Sequence, residues 1–222
     1  MSEAELLDTN LIAGVTRVTA RRIGLISDDH NQREDGGDLP PKVFTAFAGV
    51  DLILHLGHMG VKEITGRGVL DRLAEIAPVL AVRDYLMGSA GTLVLTQADG
   101  ERVAGVTRVI EAGGLRIGAV HNLGGGPGPK IMTPPGGLPE LAGLDVERVC
   151  AEKFGGPVDV VAYAGSHRAA ALNAQGKLFI NPGSPTYPKG PGRRAGAPGT
   201  VAVLDVADGV AAFEILELSL YA

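Results

Sequence analysis

Short apolar runs constrain this chain more than anything else in it. They are R-I-G-L-I-S (22–27), D-L-I-L-H-L (51–56), P-V-L-A-V (78–82), L-R-I-G-A-V (115–120), D-V-V-A-Y-A (159–164), K-L-F-I (177–180) and T-V-A-V-L-D-V (200–206). Most are continuous rather than alternating, the pattern of strands buried on both faces. Between them, apolar residues at helical spacing predict helices over 40–48, 68–76 and 138–154. Strands alternating with helices give an α/β layered architecture with the helices outside. With 222 residues, 45% of them hydrophobic and only 4% aromatic, one domain can bury a core of Val, Leu, Ile and Ala.

Charge and cysteine usage exclude several function classes. A net charge of −5 gives no basic field for bulk nucleic-acid binding, although a local positive site around a metal or an arginine cluster stays open. The single cysteine, Cys150, lies in a predicted helix, which rules out a disulfide framework or thiolate metal site and marks it as a core residue. The acidic opening M-S-E-A-E-L-L-D has no basic leader, and no run is long enough to span a bilayer, so a cytoplasmic address without a membrane partner is expected. The Gly/Pro-rich stretches 123–137 and 188–199 read as long loops, the latter carrying Arg193 and Arg194. Neither contains the Gly-Lys-Ser/Thr of a phosphate loop, and a rim over a site is the better reading. A-G-V-T-R-V occurs at 13–18 and again at 104–109, each copy trailed by R-I-G, which reads as two similar hairpin strands.

The five histidines, at 30, 55, 58, 121 and 167, all fall at or just beyond the C-terminal end of a predicted strand. In an open α/β sheet that edge is where ligands bind. A lone histidine there is usually a hydrogen-bonded core or capping residue, but five together favour a site. The first cluster, S-D-D-H (27–30), sets Asp28 and His30 two apart past a strand, a ligand pair suited to Zn, Mn or Fe. Asp29 would point away from it if the backbone stays extended.

From about Arg22 to Leu218 these segments resemble the calcineurin-like metallophosphoesterases, in particular small phosphodiesterases of the YfcE type. R-I-G-L-I-S-D-D-H is similar to the family's opening strand and Asp-x-His motif, D-L-I-L-H-L-G-H to its second motif, and I-G-A-V-H-N-L, A-Y-A-G-S-H-R and F-I-N-P-G-S-P to later ones. The resemblance implies a two-sheet β-sandwich flanked by helices, in α/β/β/α layers. It implies one domain over 21–222, with 1–20 as an extension expected to add a strand. In the family two metals with a bridging hydroxide attack a phosphate ester. Its first-metal set falls here on Asp28, His30, His58 and His167.

The departures bear on chemistry. His58 stands where the family places the metal-bridging aspartate, Asp84 and Tyr85 where it has Gly-Asn, Met87 where it has a following acid, Asn122 and Leu123 after His121, and Gly165 where it has a further histidine. A carboxylate can bridge two dications about 3.5–4 Å apart, whereas a neutral imidazole offers one lone pair and cannot. Asp84 and His121 are the remnant of the second-metal set, and Tyr85, a phenol with a reference pKa of about 10, is a poor substitute ligand. The expectation is therefore one divalent ion, with Mn, Zn, Fe and Ni not distinguished. His121 would be a phosphate contact or proton donor, Arg83 and Arg168 phosphate contacts, and His55 a hydrogen-bonding support. The partner would be a phosphate-ester small molecule, and a homo-oligomer is open. The competing class is a catalytically inactive binding or scaffold module on the same fold.

Overall fold

The computed structural model describes residues 12–60, 66–83, 102–192 and 194–221. Twelve strands and three α-helices succeed one another as β1 (Ile12–Arg17), β2 (Arg22–Ile26), α1 (Pro41–Ala46), β3 (Leu52–His55), α2 (Arg67–Ala74), β4 (Val79–Val82), β5 (Val103–Ala104), β6 (Thr107–Ala112), β7 (Leu115–Val120), α3 (Val146–Phe154), β8 (Val160–Ala162), β9 (Ala169–Ala174), β10 (Lys177–Pro182), β11 (Thr200–Ala207) and β12 (Val210–Glu217) among the described residues. They form two six-stranded sheets, ordered β1-β6-β7-β8-β10-β9 and β12-β11-β2-β3-β4-β5. We call these the β7 sheet and the β2 sheet.

The sheets face each other across an apolar core. Ile23, Leu25, Leu54 and Leu56 of the β2 sheet pack there with Ile117, Ala119, Ala162 and Ile180 of the β7 sheet. The outer face of the β2 sheet is covered by Val43, Phe47, Val69 and Leu70 from and around α1 and α2. The outer face of the β7 sheet is covered by Val149, Cys150 and Phe154 of α3. This double burial is why the central strands read as continuous apolar runs, and the result is the expected α/β/β/α order. Among the described residues no helix is long and apolar enough to cross a membrane.

The two R-I-G segments have one physical cause. Gly24 in β2 and Gly118 in β7 each lie under a phenylalanine at the end of the covering helix, and a Cβ would meet the Phe47 ring at 3.0 Å and the Phe154 ring at 2.9 Å. Each helix can thus seat a large ring on its sheet, a burial contributing roughly 1.5–3 kcal/mol per ring.

Two expectations are corrected. The first A-G-V-T-R-V copy is not a hairpin strand: β1 lies beside β6 in parallel, with Val15 opposite Val109, before the chain crosses to the other sheet as β2. Only the second copy leads into a hairpin, β6 with β7. The helix expected over 138–154 begins only at Val146. Gly143 turns the chain at φ 74°, and the Asp145 side chain then caps α3 by accepting from the Arg148 N–H at 3.0 Å. Helical spacing in 138–145 is therefore coincidental. The glycine-rich stretch after β7 is pinned down, since buried Lys153 of α3 donates to the Gly125 and Pro127 carbonyls and the Tyr163 hydroxyl donates to that of Gly137.

Candidate metal centre

Strands β2 and β3 of one sheet and β7 and β8 of the other end on the same edge of the sandwich, and the loops leaving them carry the site. Beyond β2 and β3 the backbones stay zipped: Asp28 N–H donates to Gly57 O at 3.1 Å, His30 N–H to His58 O at 3.3 Å, and Asn31 N–H to Met59 O at 3.1 Å. The conformation is not that of a strand. Asp28 (φ 55°), His30 (φ 48°), His58 (φ 60°) and His167 (φ 58°) are all left-handed. The remaining left-handed non-glycine residues described are Gln175 and Asp208, at the β9–β10 and β11–β12 turns. Such backbone costs an L-residue on the order of 1 kcal/mol or more and concentrates where side chains must be aimed.

The four side chains converge. One donor atom from each of Asp28, His30, His58 and His167 lies within 4.8 Å of the others. Asp28 Oδ1 is 3.5 Å from His167 Nε2 and 3.6 Å from His58 Nδ1, and His30 Nε2 is 3.2 Å from His167 Nε2. A tetrahedral ion with bonds of about 2.0–2.2 Å holds its donors about 3.4 Å apart. The three separations, 3.2–3.6 Å, match that spacing, and the set as a whole, within 4.8 Å, is close enough to gather on one divalent ion. Asp28 is fully buried, and its Oδ1 has no hydrogen-bond partner, an expensive condition for a carboxylate oxygen that a cation would relieve. Its Oδ2 accepts from the Gly165 N–H at 3.0 Å.

The surroundings fix which nitrogens point inward. His167 Nδ1 lies 3.1 Å from the Tyr187 carbonyl, which can only accept, so Nδ1 carries a proton and Nε2 is the nitrogen turned to the cluster. Burial, then the neighbouring His58 and His167, push the His30 imidazole down to about 4, so it is a neutral donor. His121 Nδ1 donates to the Leu56 carbonyl at 2.8 Å, and its Nε2 stands 3.7 Å from Asp28 Oδ1, beside the four. Gly57 at φ 95° allows this, since a Cβ there would lie 3.1 Å from the His121 ring.

The other predicted residues are spread around this cluster. His55 is fully buried and bonds not to a member of the four but to Asp29 Oδ1, at 2.7 Å. Asp29 stays out of the cluster as expected, but not through an extended backbone. The backbone at Asp28 is left-handed rather than extended, and it turns the Asp29 carboxyl into the interior, where burial raises its pKa despite the His55 bond. Arg83 and Arg168 each have a buried Nε without a hydrogen-bond partner, and neither is in the four-residue cluster. Asp84, Tyr85, Met87 and Arg193 lie outside the described residues. N-P-G-S reads as a turn holding the hairpin next to the site, and the segment beginning at its serine goes further and braces the site's backbone, which the residue types alone do not reveal. Ser184 Oγ donates to the Asp28 carbonyl at 2.7 Å, Thr186 Oγ1 to that of Asp29 at 2.6 Å, and Tyr187 supplies the carbonyl that orients His167. The cluster of Ser, Pro and Thr after a strand is the only signal of this in the sequence.

Two facing sheets under outer helices, with a carboxylate and histidines on loops at one strand edge, define a metallophosphoesterase-like class of protein. Residues 22–209 match the calcineurin-like phosphoesterase superfamily domain, and the chain belongs to that family. It is 30% identical over 169 residues to a probable metallophosphoesterase of Methanocaldococcus jannaschii, covering 76% of this chain and 70% of that protein. A second probable metallophosphoesterase, from Methanothermobacter thermautotrophicus, is 28% identical over 171 residues, 75% of this chain and 78% of that one. Among solved structures, Vps29 of Entamoeba histolytica complexed with Zn2+ superposes with a TM-score of 0.54 at 20% identity, covering 89% of this chain and 99% of that one. A predicted phosphoesterase of Streptococcus pneumoniae gives 0.53 at 19% identity, over 91% and 92%. These structures share the fold.

Proposed function

We propose that Asp28, His30, His58 and His167 hold one divalent cation and that the chain hydrolyses phosphate mono- or diesters at this one-ion site. What supports the reading most is the buried, unpartnered Asp28 Oδ1 with imidazole nitrogens of His58, His121 and His167 within 3.7 Å. When bound, a dication there supplies electrophilic polarisation of a phosphoryl oxygen and acidifies water. Asp28 is held for this by Gly165 N–H on Oδ2, which leaves Oδ1 to face the histidines. His121, with Nδ1–H committed to Leu56, has only Nε2 through which to pass a proton, and it suits delivery to the leaving oxygen. The Arg83 and Arg168 guanidiniums are candidates to pair with the phosphate.

A single ion is what the ligand types support. His58 is an imidazole where the family bridges two ions with a carboxylate, and Gly165 has no side chain to offer where the family has a histidine. A second reading, a binding module without hydrolysis, draws on the loss of those ligands and on the fold shared with Vps29 of Chaetomium thermophilum, solved with a cyclic peptide at a TM-score of 0.55 and 22% identity over 89% of this chain and 95% of that one.

The deciding experiment measures bound metal after purification without added ions, then hydrolysis of a generic phosphodiester and a phosphomonoester with Mn, Zn, Fe or Ni. One ion per chain with turnover that His58→Ala abolishes is the expected result. One tightly bound ion without turnover under any metal favours the binding module, and two tightly bound ions overturn the one-ion site.

A further inference from the structure

The pair Asp29 and His55 is fully interior, with both side chains at most 1% exposed, yet it belongs to neither the sandwich core nor the four-donor cluster. Its bonding is determinate. The Gly57 N–H donates to His55 Nδ1 at 3.1 Å, so Nδ1 holds the lone pair and Nε2 holds the proton, which it donates to Asp29 Oδ1 at 2.7 Å. One imidazole thus joins two loops. At one end is Asp29, flanked by Asp28 and His30; at the other is Gly57, flanked by Leu56, whose carbonyl holds His121, and by His58.

This linkage is needed because of the conformations beside it. Asp28 and His30 are left-handed with Asp29 between them, and Gly57 and His58 are left-handed in succession. Relaxation of either loop toward an ordinary conformation would swing a donor out of the cluster. The backbone bonds between the loops fix their approach, and the Asp29–His55–Gly57 chain adds a fastening of side chain to backbone across them from beneath. Thr186 Oγ1 clamps the same residue from the third loop by donating to the Asp29 carbonyl at 2.6 Å.

We propose that Asp29 and His55 are positioning residues. Their hydrogen bond sets the spacing between the Asp28–His30 arm and the His58 arm, and thereby the affinity and coordination geometry of the cation. The inference rests on the one-ion reading above. Partners placed behind metal ligands typically contribute 10–100-fold in affinity.

The test uses Co2+ as probe on the full chain, read by titration calorimetry and by the visible absorption of bound Co2+, with metal-free melting monitored in parallel. Asp29→Ala and His55→Ala should each weaken Co2+ binding roughly 10–100-fold and alter the Co2+ spectrum, and the double variant should bind no worse than either single one. Asp29→Asn, which keeps an acceptor for His55 Nε2–H, should recover most of the affinity and the wild-type spectrum. If an alanine variant does not fold, Asp29→Leu and His55→Leu, which fill the space without the hydrogen bond, replace it, with the same expectation of weakened binding and a changed spectrum. Variants that melt earlier yet bind Co2+ with unchanged affinity and spectrum overturn the positioning role and leave the metal reading standing. A wild-type chain that takes up no Co2+, Zn2+, Mn2+, Fe2+ or Ni2+ overturns the metal reading itself, and with it this inference.

Discussion

The two ends of the sandwich treat their carboxylates in opposite ways. At the end where β2, β3, β7 and β8 begin, the acids near the strand starts are paired. Asp51 accepts from the Arg21 and Arg22 N–H groups at 2.9 and 2.8 Å, Asp205 accepts from Arg22, Glu111 from Arg17 and Arg116, and Asp159 from the Arg116 N–H. At the end where those strands finish, Asp28 Oδ1, Asp29 Oδ2 and Asn31 Oδ1 are buried with no hydrogen-bond partner, and four residues are left-handed. The first end satisfies its acids locally, and its left-handed non-glycine residues, Gln175 and Asp208, sit only in hairpin turns. The second leaves buried oxygens without a hydrogen-bond partner beside left-handed residues that carry titratable side chains, as expected of the functional end of a fold.

The largest effect should come from removing charge at the unpaired end. Asp28→Asn keeps the shape and the acceptor for Gly165 N–H but removes the anionic donor. It should lower cation affinity by more than the roughly 10–100-fold typical of partners behind metal ligands, measured by titration calorimetry, while metal-free melting stays level or rises, because a buried charge is gone. A fall in metal-free stability would break the comparison. Next, Gly57→Ala places a Cβ against the His121 ring at a φ of 95°. It should cost about 1–2 kcal/mol of stability in denaturant unfolding and reduce phosphoester turnover more than cation affinity.

Substitutions at the paired end should move stability slightly and the site not at all. Glu111→Ala, which releases Arg17 and Arg116, should cost about 0–1 kcal/mol with unchanged cation affinity. The smallest effect is a pH dependence. The backbone N–H groups of Arg21 and Arg22 hold the Asp51 carboxyl below its ordinary value of 3.8. A depressed folded-state pKa contributes stability that is present above the unfolded value and is lost as pH falls through the folded one. Asp51→Asn should therefore lower the melting temperature slightly at neutral pH and flatten its decline below about pH 4, so that variant and parent converge in acid. A variant as acid-sensitive as the parent would show that Asp51 does not carry this dependence.

The layers are legible in the sequence because burial on both faces writes a continuous apolar run. β9 and β12 are not, because they are edge strands, mostly half-buried or exposed, and carry no such run. At the site, Asp28, His30 and His167 can be picked out because residue type and place past a strand suffice to nominate a ligand. Asp29, Ser184, Thr186 and Tyr187 cannot. Their roles depend on which carbonyl or imidazole the tertiary fold brings within reach, and on a left-handed Asp28 that an extended reading of S-D-D-H does not contain.

The cluster also joins what the chain keeps far apart. Asp28, His30 and His58 hang from the β2 sheet and His167 from the β7 sheet, and the His30–His167 contact spans 137 residues of sequence. An ion shared by these arms is a clasp across the seam of the sandwich, closing a loop whose entropy in the unfolded chain is large. At a hundredfold excess over its dissociation constant it would add about 2.7 kcal/mol to folding. Hydrogen exchange in the facing strands β2 and β7 would then slow together on loading, so that occupancy of the site is felt as cohesion of the two sheets.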